Sequence, residues 1–133
     1  MASLGELNIL IAENRAQEAL QEIDLWFPQF QRTGFLTPSS MATTCWSQAA
    51  RAALAAASVL PPSERAPLIK RAQKAMSHLP VRRIARARAW HQICQIEILL
   101  LKNPQAEIGL LLQEARDSFR EASALYCVRV LEA

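Results

Sequence analysis

An all-α fold is predicted by three observations. The chain of 133 residues carries only three glycines, and its many alanine, leucine, glutamine, glutamate and arginine residues favour helix in every long segment. Apolar residues recur at helical spacing between proline-containing breaks. A pattern also returns three times: Ala19, Ile23 and Trp26; Ala72, Met76 and Leu79; Ala115, Phe119 and Ala122. An alanine followed by apolar residues at these intervals makes one helix face with a notch where a neighbouring helix approaches. The expected architecture is one domain over residues 1–133, built of stacked antiparallel hairpins at 4–33, 38–79 and 81–122 and a terminal helix at 124–132, about seven helices in all.

The elements follow in order. Leu4, Leu7, Leu10 and Ile11 give a buried side to a first helix over Leu4–Glu13. Asn14 marks a corner and, with Gln17 three residues on, caps a second helix through Ala19, Leu20, Ile23 and Trp26. Pro28 kinks or ends that helix because it has no amide to donate and its ring crowds the preceding turn. Gln29–Arg32 continue beyond it, and Gly34 terminates the segment. Thr37 as cap and Pro38 in the first turn open a third helix carrying Cys45, Trp46, Ala49, Ala52, Ala53, Ala56, Ala57 and Leu60. Pro61-Pro62-Ser63 stops it and opens a fourth, Glu64–His78, with Leu68, Ile69, Ala72, Ala75, Met76 and Leu79 available to the core.

Leu79-Pro80 is the next break, before a fifth helix over Val81–Leu101 whose far half is apolar nearly all round. Asn103-Pro104 repeats the cap-plus-proline signal and opens a sixth, with Ile108, Leu111, Leu112, Ala115, Phe119 and Ala122 on its inner side. The chain turns near Ser123 into a short last helix, Leu125–Leu131, where Tyr126, Val130 and Leu131 offer an apolar end suited to self-association. Gly109 falls inside the sixth helix, a position costing about 1 kcal/mol relative to alanine.

Cys45, Cys94 and Cys127 are odd in number, widely spaced and set in apolar stretches, which predicts buried thiols in a reducing compartment. The first residues have no basic region followed by an apolar core, so the expected location is cytoplasmic. The most apolar run, Ile93–Leu101, includes Gln95 and Glu97 and falls far short of the roughly 20 residues a membrane span needs. No membrane partner is expected.

The stretch Glu114–Tyr126 resembles the second helix of a tetratricopeptide repeat running into the next, and Leu10–Leu20 resembles a repeat corner with Asn14 where glycine is usual. The resemblance is to the degenerate repeats of large bacterial signal-responsive regulators of the LuxR and related ATPase types. It implies a right-handed α-α superhelix with a concave partner-binding surface and no catalytic residues. The copies at Ala19, Ala72 and Ala115 are more widely spaced than the usual repeat of about 34 residues.

Charge supplies the functional expectation. Residues 1–60 have three basic and five acidic side chains, net −2; residues 61–102 have nine and two, net +7; residues 103–133 have three and five, net −2. Lys70, Arg71, Lys74, Arg82, Arg83, Arg86 and Arg88 cluster around the fourth-to-fifth helix junction and are the expected partner-binding residues. Such a patch attracts an acidic peptide, an acidic protein, phosphate or nucleic acid, with an affinity that falls as salt rises. The alternative is that these side chains pair with Glu114, Asp117 and Glu121 or simply face water. Phe30 and Phe35, near Pro28, are further contact candidates if exposed.

Rival functions lack their motifs. No finger spacing, aromatic RNA motif or recognition-helix signature accompanies the arginines, so nucleic-acid binding would be sequence-blind and ranks second. His78 and His91 have no positioned nucleophile or carboxylate at a catalytic spacing, which makes packed or capping roles the better reading. His91 and Cys94 give only two ligands of the usual four, so no metal or cofactor is expected. Glu97, among Ile93, Ile96, Ile98 and Leu99, needs a partner or an outward orientation. A phosphate loop and paired hydrolytic carboxylates are missing, and a helical enzyme ranks third. The expected function is a non-catalytic protein-interaction scaffold.

Overall fold

The computed structural model of the chain describes the backbone of residues 15–32 and 40–132, and the side chains of residues 15–25, 28 and 42–123. Among these residues the chain is all-α: α1 is Ala16–Arg32, α2 Ser40–Ser58, α3 Ala66–Met76, α4 Ala85–Lys102 and α5 Gly109–Glu132, with a 3-10 turn at Pro62–Glu64 and no strand. The expected helix at Leu4–Glu13, the Asn14 cap, Gly34 and the Thr37-Pro38 signal all lie outside the described residues.

Several boundaries differ from the expectation for local reasons. Pro28 does not end α1, which runs on to Arg32. The ring faces water, and the loss is confined to the one amide that the carbonyl of Asp24 would otherwise receive. Pro61-Pro62-Ser63 forms a single 3-10 turn, closed by the Glu64 amide on the Pro61 carbonyl at 2.9 Å, and α3 therefore starts at Ala66. The fifth expected helix begins at Ala85 rather than Val81. Amides of Arg83 and Ile84 both donate to the Pro80 carbonyl, at 3.1 and 3.0 Å, and the extended Ile84 (φ −125°, ψ 115°) then redirects the chain. Arg82 and Arg83 thus sit in a turn before α4.

Asn103-Pro104 is a turn and not a helix start. The Asn103 amide closes α4 on the Leu99 carbonyl at 2.8 Å, while its Oδ1 accepts the Gln105 amide at 3.1 Å, the side-chain turn that asparagine forms readily. Gly109 is consequently the first residue of α5, not an interior one, and a Cβ there would meet nothing within 4 Å. No break occurs near Ser123: the predicted sixth helix and terminal helix are one helix to Glu132, because no glycine or proline follows Gly109.

The chain divides into two compact units, the first ending at Leu79 and the second beginning at Pro80. In the first, α2 is the central helix, packed by α1 and by α3. It is buried on nearly every side, with Ala50, Ala52, Ala53, Ala56 and Ala57 at 0% exposure and Leu54 at 2%. Alanine lets the flanking helices come close. Its last carbonyls are held by a side chain from beyond the turn: Arg65 Nε donates to the carbonyls of Ala57 and Leu60, each at 3.0 Å, and Nη2 donates to Ser58 at 3.4 Å. A cation at a helix C-terminus also opposes the negative end of the helix dipole.

In the second unit α4 packs on α5. From half-buried Ile108, just before α5, the inner line runs through half-buried Leu112 to buried Ala115 and Ser118. Leu111, expected in the core, lies one residue off that line and is 39% exposed. Trp90 meets Phe119 edge-on at 5.3 Å. Beside them Arg88 Nε donates to Ser118 Oγ at 3.3 Å, Ser118 donates to Gln92 Oε1 at 2.7 Å, and Arg88 pairs with Glu121. The notch alanines Ala19, Ala72 and Ala115 are all fully buried.

Cys45 and Cys94 are free and buried, and burial pushes the Cys45 thiol from its ordinary 9.0 up to about 11. The unfolded chain ionises near 9.0 while the folded thiol stays neutral, so this contribution is intact below pH 9.0 and is lost as pH rises towards 11. The urea midpoint is expected to fall across that interval, less steeply in Cys45→Ala. In a Cys127→Ser background both remaining thiols should resist alkylation until the chain unfolds.

Candidate functional site: a cleft between α1 and α3

The seven basic residues divide between the units. Lys70, Arg71 and Lys74 are on α3; Arg82 and Arg83 are in the Pro80–Ile84 turn; Arg86 and Arg88 are in the first turn of α4. Arg71 is committed to Asp24 of α1, with Nη2 at 2.6 Å and Nη1 at 3.5 Å from the two carboxylate oxygens. Arg88 is committed to Glu121 and Ser118 of α5. For these two the structure supplies an internal acid: Glu121 is one of the acids expected as an alternative partner, whereas Asp24 is not.

Lys70, Lys74, Arg82 and Arg83 differ. All four are exposed, and no carboxylate among the described residues pairs with them. Lys70 and Lys74 are four apart on one helix and so neighbours of like sign, an arrangement that costs a few tenths of a kcal/mol without a counter-charge. Arg82 and Arg83 precede a helix start with no side-chain cap and no acidic residue in its first turn, where positive charge is also mildly unfavourable. By contrast, the exposed Arg15 is answered locally: its guanidinium hydrogen-bonds Glu18 and holds that carboxyl below its ordinary 4.5.

A cleft of about 290 Å³ opens in the first unit. It follows from the packing there: α1 and α3 both lie on α2 but make little contact with each other, so the space between them is floored by α2. Trp46 and Ala49 form the floor, Ile23, Asp24 and Pro28 one wall, and Arg71, Lys74, Ala75 and His78 the other. Positions 71, 74, 75 and 78 are one face at helical spacing. The exposed His78 ring stacks on Trp46 with centroids 4.2 Å apart and planes 17° from parallel. The Asp24–Arg71 pair spans the cleft from wall to wall. Arg71 and Lys74 were expected as binding residues; Asp24, Trp46 and His78 were not, and only the 71-74-78 spacing hinted at a shared face.

The remaining candidates carry less. Phe35 lies outside the described residues, as do the side chains of Phe30, Tyr126, Val130 and Leu131. His91 and Glu97 are half-buried on α4 and Cys94 is fully buried; no group of three metal-ligating side chains occurs among the described residues. No described helix is long and apolar enough to cross a membrane. No family model, curated protein or solved structure matches the chain.

Proposed function

We propose that the protein is a non-catalytic interaction module that holds an acidic segment of a protein partner. The carrying observation is the contrast among its cations: Arg71 and Arg88 are neutralised within their own units, whereas Lys70, Lys74, Arg82 and Arg83 are exposed and face no carboxylate among the described residues. Uncompensated charge of one sign is the feature that steers an oppositely charged partner and sets its orientation. The buried alanine notches support the reading of the helices as tetratricopeptide-like repeats of a regulator. Buried Cys45 and Cys94 thiols suit the cytoplasm.

The test uses a short blocked peptide of glutamates interspersed with leucines, a counterpart with glutamines, and a DNA duplex. The acidic peptide is expected to bind, the glutamine peptide not, and affinity should fall as salt rises. Charge reversal at Lys70 and Lys74, or at Arg82 and Arg83, is expected to weaken binding by about tenfold or more while leaving helicity unchanged. Tighter binding of the duplex than of the peptide would favour nucleic acid instead. Equal affinity for the two peptides would overturn the acidic-partner reading.

A further inference from the structure

The Asp24–Arg71 pair joins two walls of an otherwise open cleft, and it is exposed: the side chains retain 63% and 39% of their accessibility. An ion pair this wet contributes little to stability, because water and salt compete with it. Its position is more informative than its strength. Among the described residues Asp24 is the one acid in a cleft that also holds Arg71 and Lys74, with the His78–Trp46 stack providing a flat aromatic surface beside them. The cleft therefore carries an excess positive charge, and its own carboxylate occupies the guanidinium best shaped to grip a carboxylate with two parallel hydrogen bonds.

We infer that Asp24 is a built-in stand-in for the ligand: the cleft takes an acidic side chain of the partner, which replaces Asp24 on Arg71. Resting on the acidic-partner reading above, this names where in the first unit one recognition group goes. Lys74 supplies the attraction that draws the incoming carboxylate, since no acid among the described residues has to be released from it first. Room for about one or two side chains remains, near the lower limit of about 300 Å³ for a ligand pocket, which suits a glutamate with an adjacent apolar residue rather than an extended molecule. The apolar neighbour lies against Ile23, Pro28 and Ala49, and the ion pair opens by rotation of exposed side chains, with no change in the helices.

The exchange makes a prediction of unusual sign, since removing a native ion pair should improve binding. Asp24→Asn keeps the size of the side chain and removes the competing charge; it is expected to tighten binding of the glutamate-leucine peptide by about two- to fivefold, the range that the worth of an exposed ion pair allows. Lys74→Glu alone is expected to weaken it by about tenfold. Binding is read by calorimetry on the full chain, with circular dichroism confirming that each variant is folded. Unchanged or weaker binding by Asp24→Asn overturns the exchange. If the peptide still binds and responds to charge reversal at Arg82 and Arg83, the interaction module stands and only the cleft is lost as its site; a peptide that does not bind overturns both.

Discussion

Leu54→Ala is expected to cost about 2–5 kcal/mol, the range for truncating a fully buried leucine. Among the described residues Leu54 is the largest side chain buried this completely, at 2% exposure. Its neighbours one turn away on α2, Ala50 and Ala57, are alanines, which have no side-chain length with which to move into the space left behind. The cost therefore includes a cavity as well as the lost transfer of three carbons. Ala53 and Ala57 beside it on α2 are fully buried, and α2 is held between α1 and α3, so the helix cannot shift to fill the gap without disturbing both. Urea unfolding followed by circular dichroism measures the loss. A change within about 0.5 kcal/mol, typical of an exposed site, would mean that α2 is not the centre of this unit.

Arg65→Met is expected to cost about 1.5–3 kcal/mol, the range for hydrogen bonds made by a charged group. Methionine keeps much of the apolar stem and removes the guanidinium, so the result reports on the three carbonyls and not on packing. Ala57 and Ser58 end α2 and Leu60 lies just past it, where carbonyls lack the amide of a continuing helix; the Ala57 carbonyl also accepts the Leu60 amide at 3.1 Å. The same side chain belongs to the residue that caps α3, so one residue closes one helix and opens the next. Arg65→Lys is expected to recover only part of the loss, because a compact ammonium cannot reach carbonyls at both distances and angles that the planar fork spans. Faster amide exchange confined to the last turn of α2 and the Pro62–Glu64 turn would identify the mechanism; full recovery by lysine would reduce Arg65 to a point charge.

These two positions show unequal legibility. Leu54 was not singled out among the alanines of its helix, because periodicity marks a face and α2 is buried on nearly all of them. Arg65 was counted only as one of nine basic residues between positions 61 and 102. Its role depends on the 3-10 turn that folds it back over the end of α2, a geometry that Pro61-Pro62 announces as a break without specifying its direction. The same distinction separates the boundaries. Asn103-Pro104 is an equally good opening for a helix and for a side-chain turn, and the five residues to Gly109 are settled by hydrogen bonds of Asn103 that no local propensity weighs. At Ser123 the reverse holds: serine favours turns only mildly, and without glycine or proline the helix simply continues.

Sequence by itself determined that this chain is helical, where its apolar faces lie, that Ala19, Ala72 and Ala115 would be buried, and that its cations gather between residues 61 and 102. Those are properties of spacing and composition, and they survive any arrangement of the helices. Tertiary structure alone decided which cations are answered. Arg71 meets an aspartate 47 positions earlier and Arg88 a glutamate 33 positions later, while Lys70, Lys74, Arg82 and Arg83 meet none among the described residues. It also decided that α1 and α3 leave a cleft with Trp46 at its floor and His78 on one wall. Helical periodicity states which way a side chain points from its own axis; what lies opposite is set by the helix packed alongside, whose residues are distant in the chain.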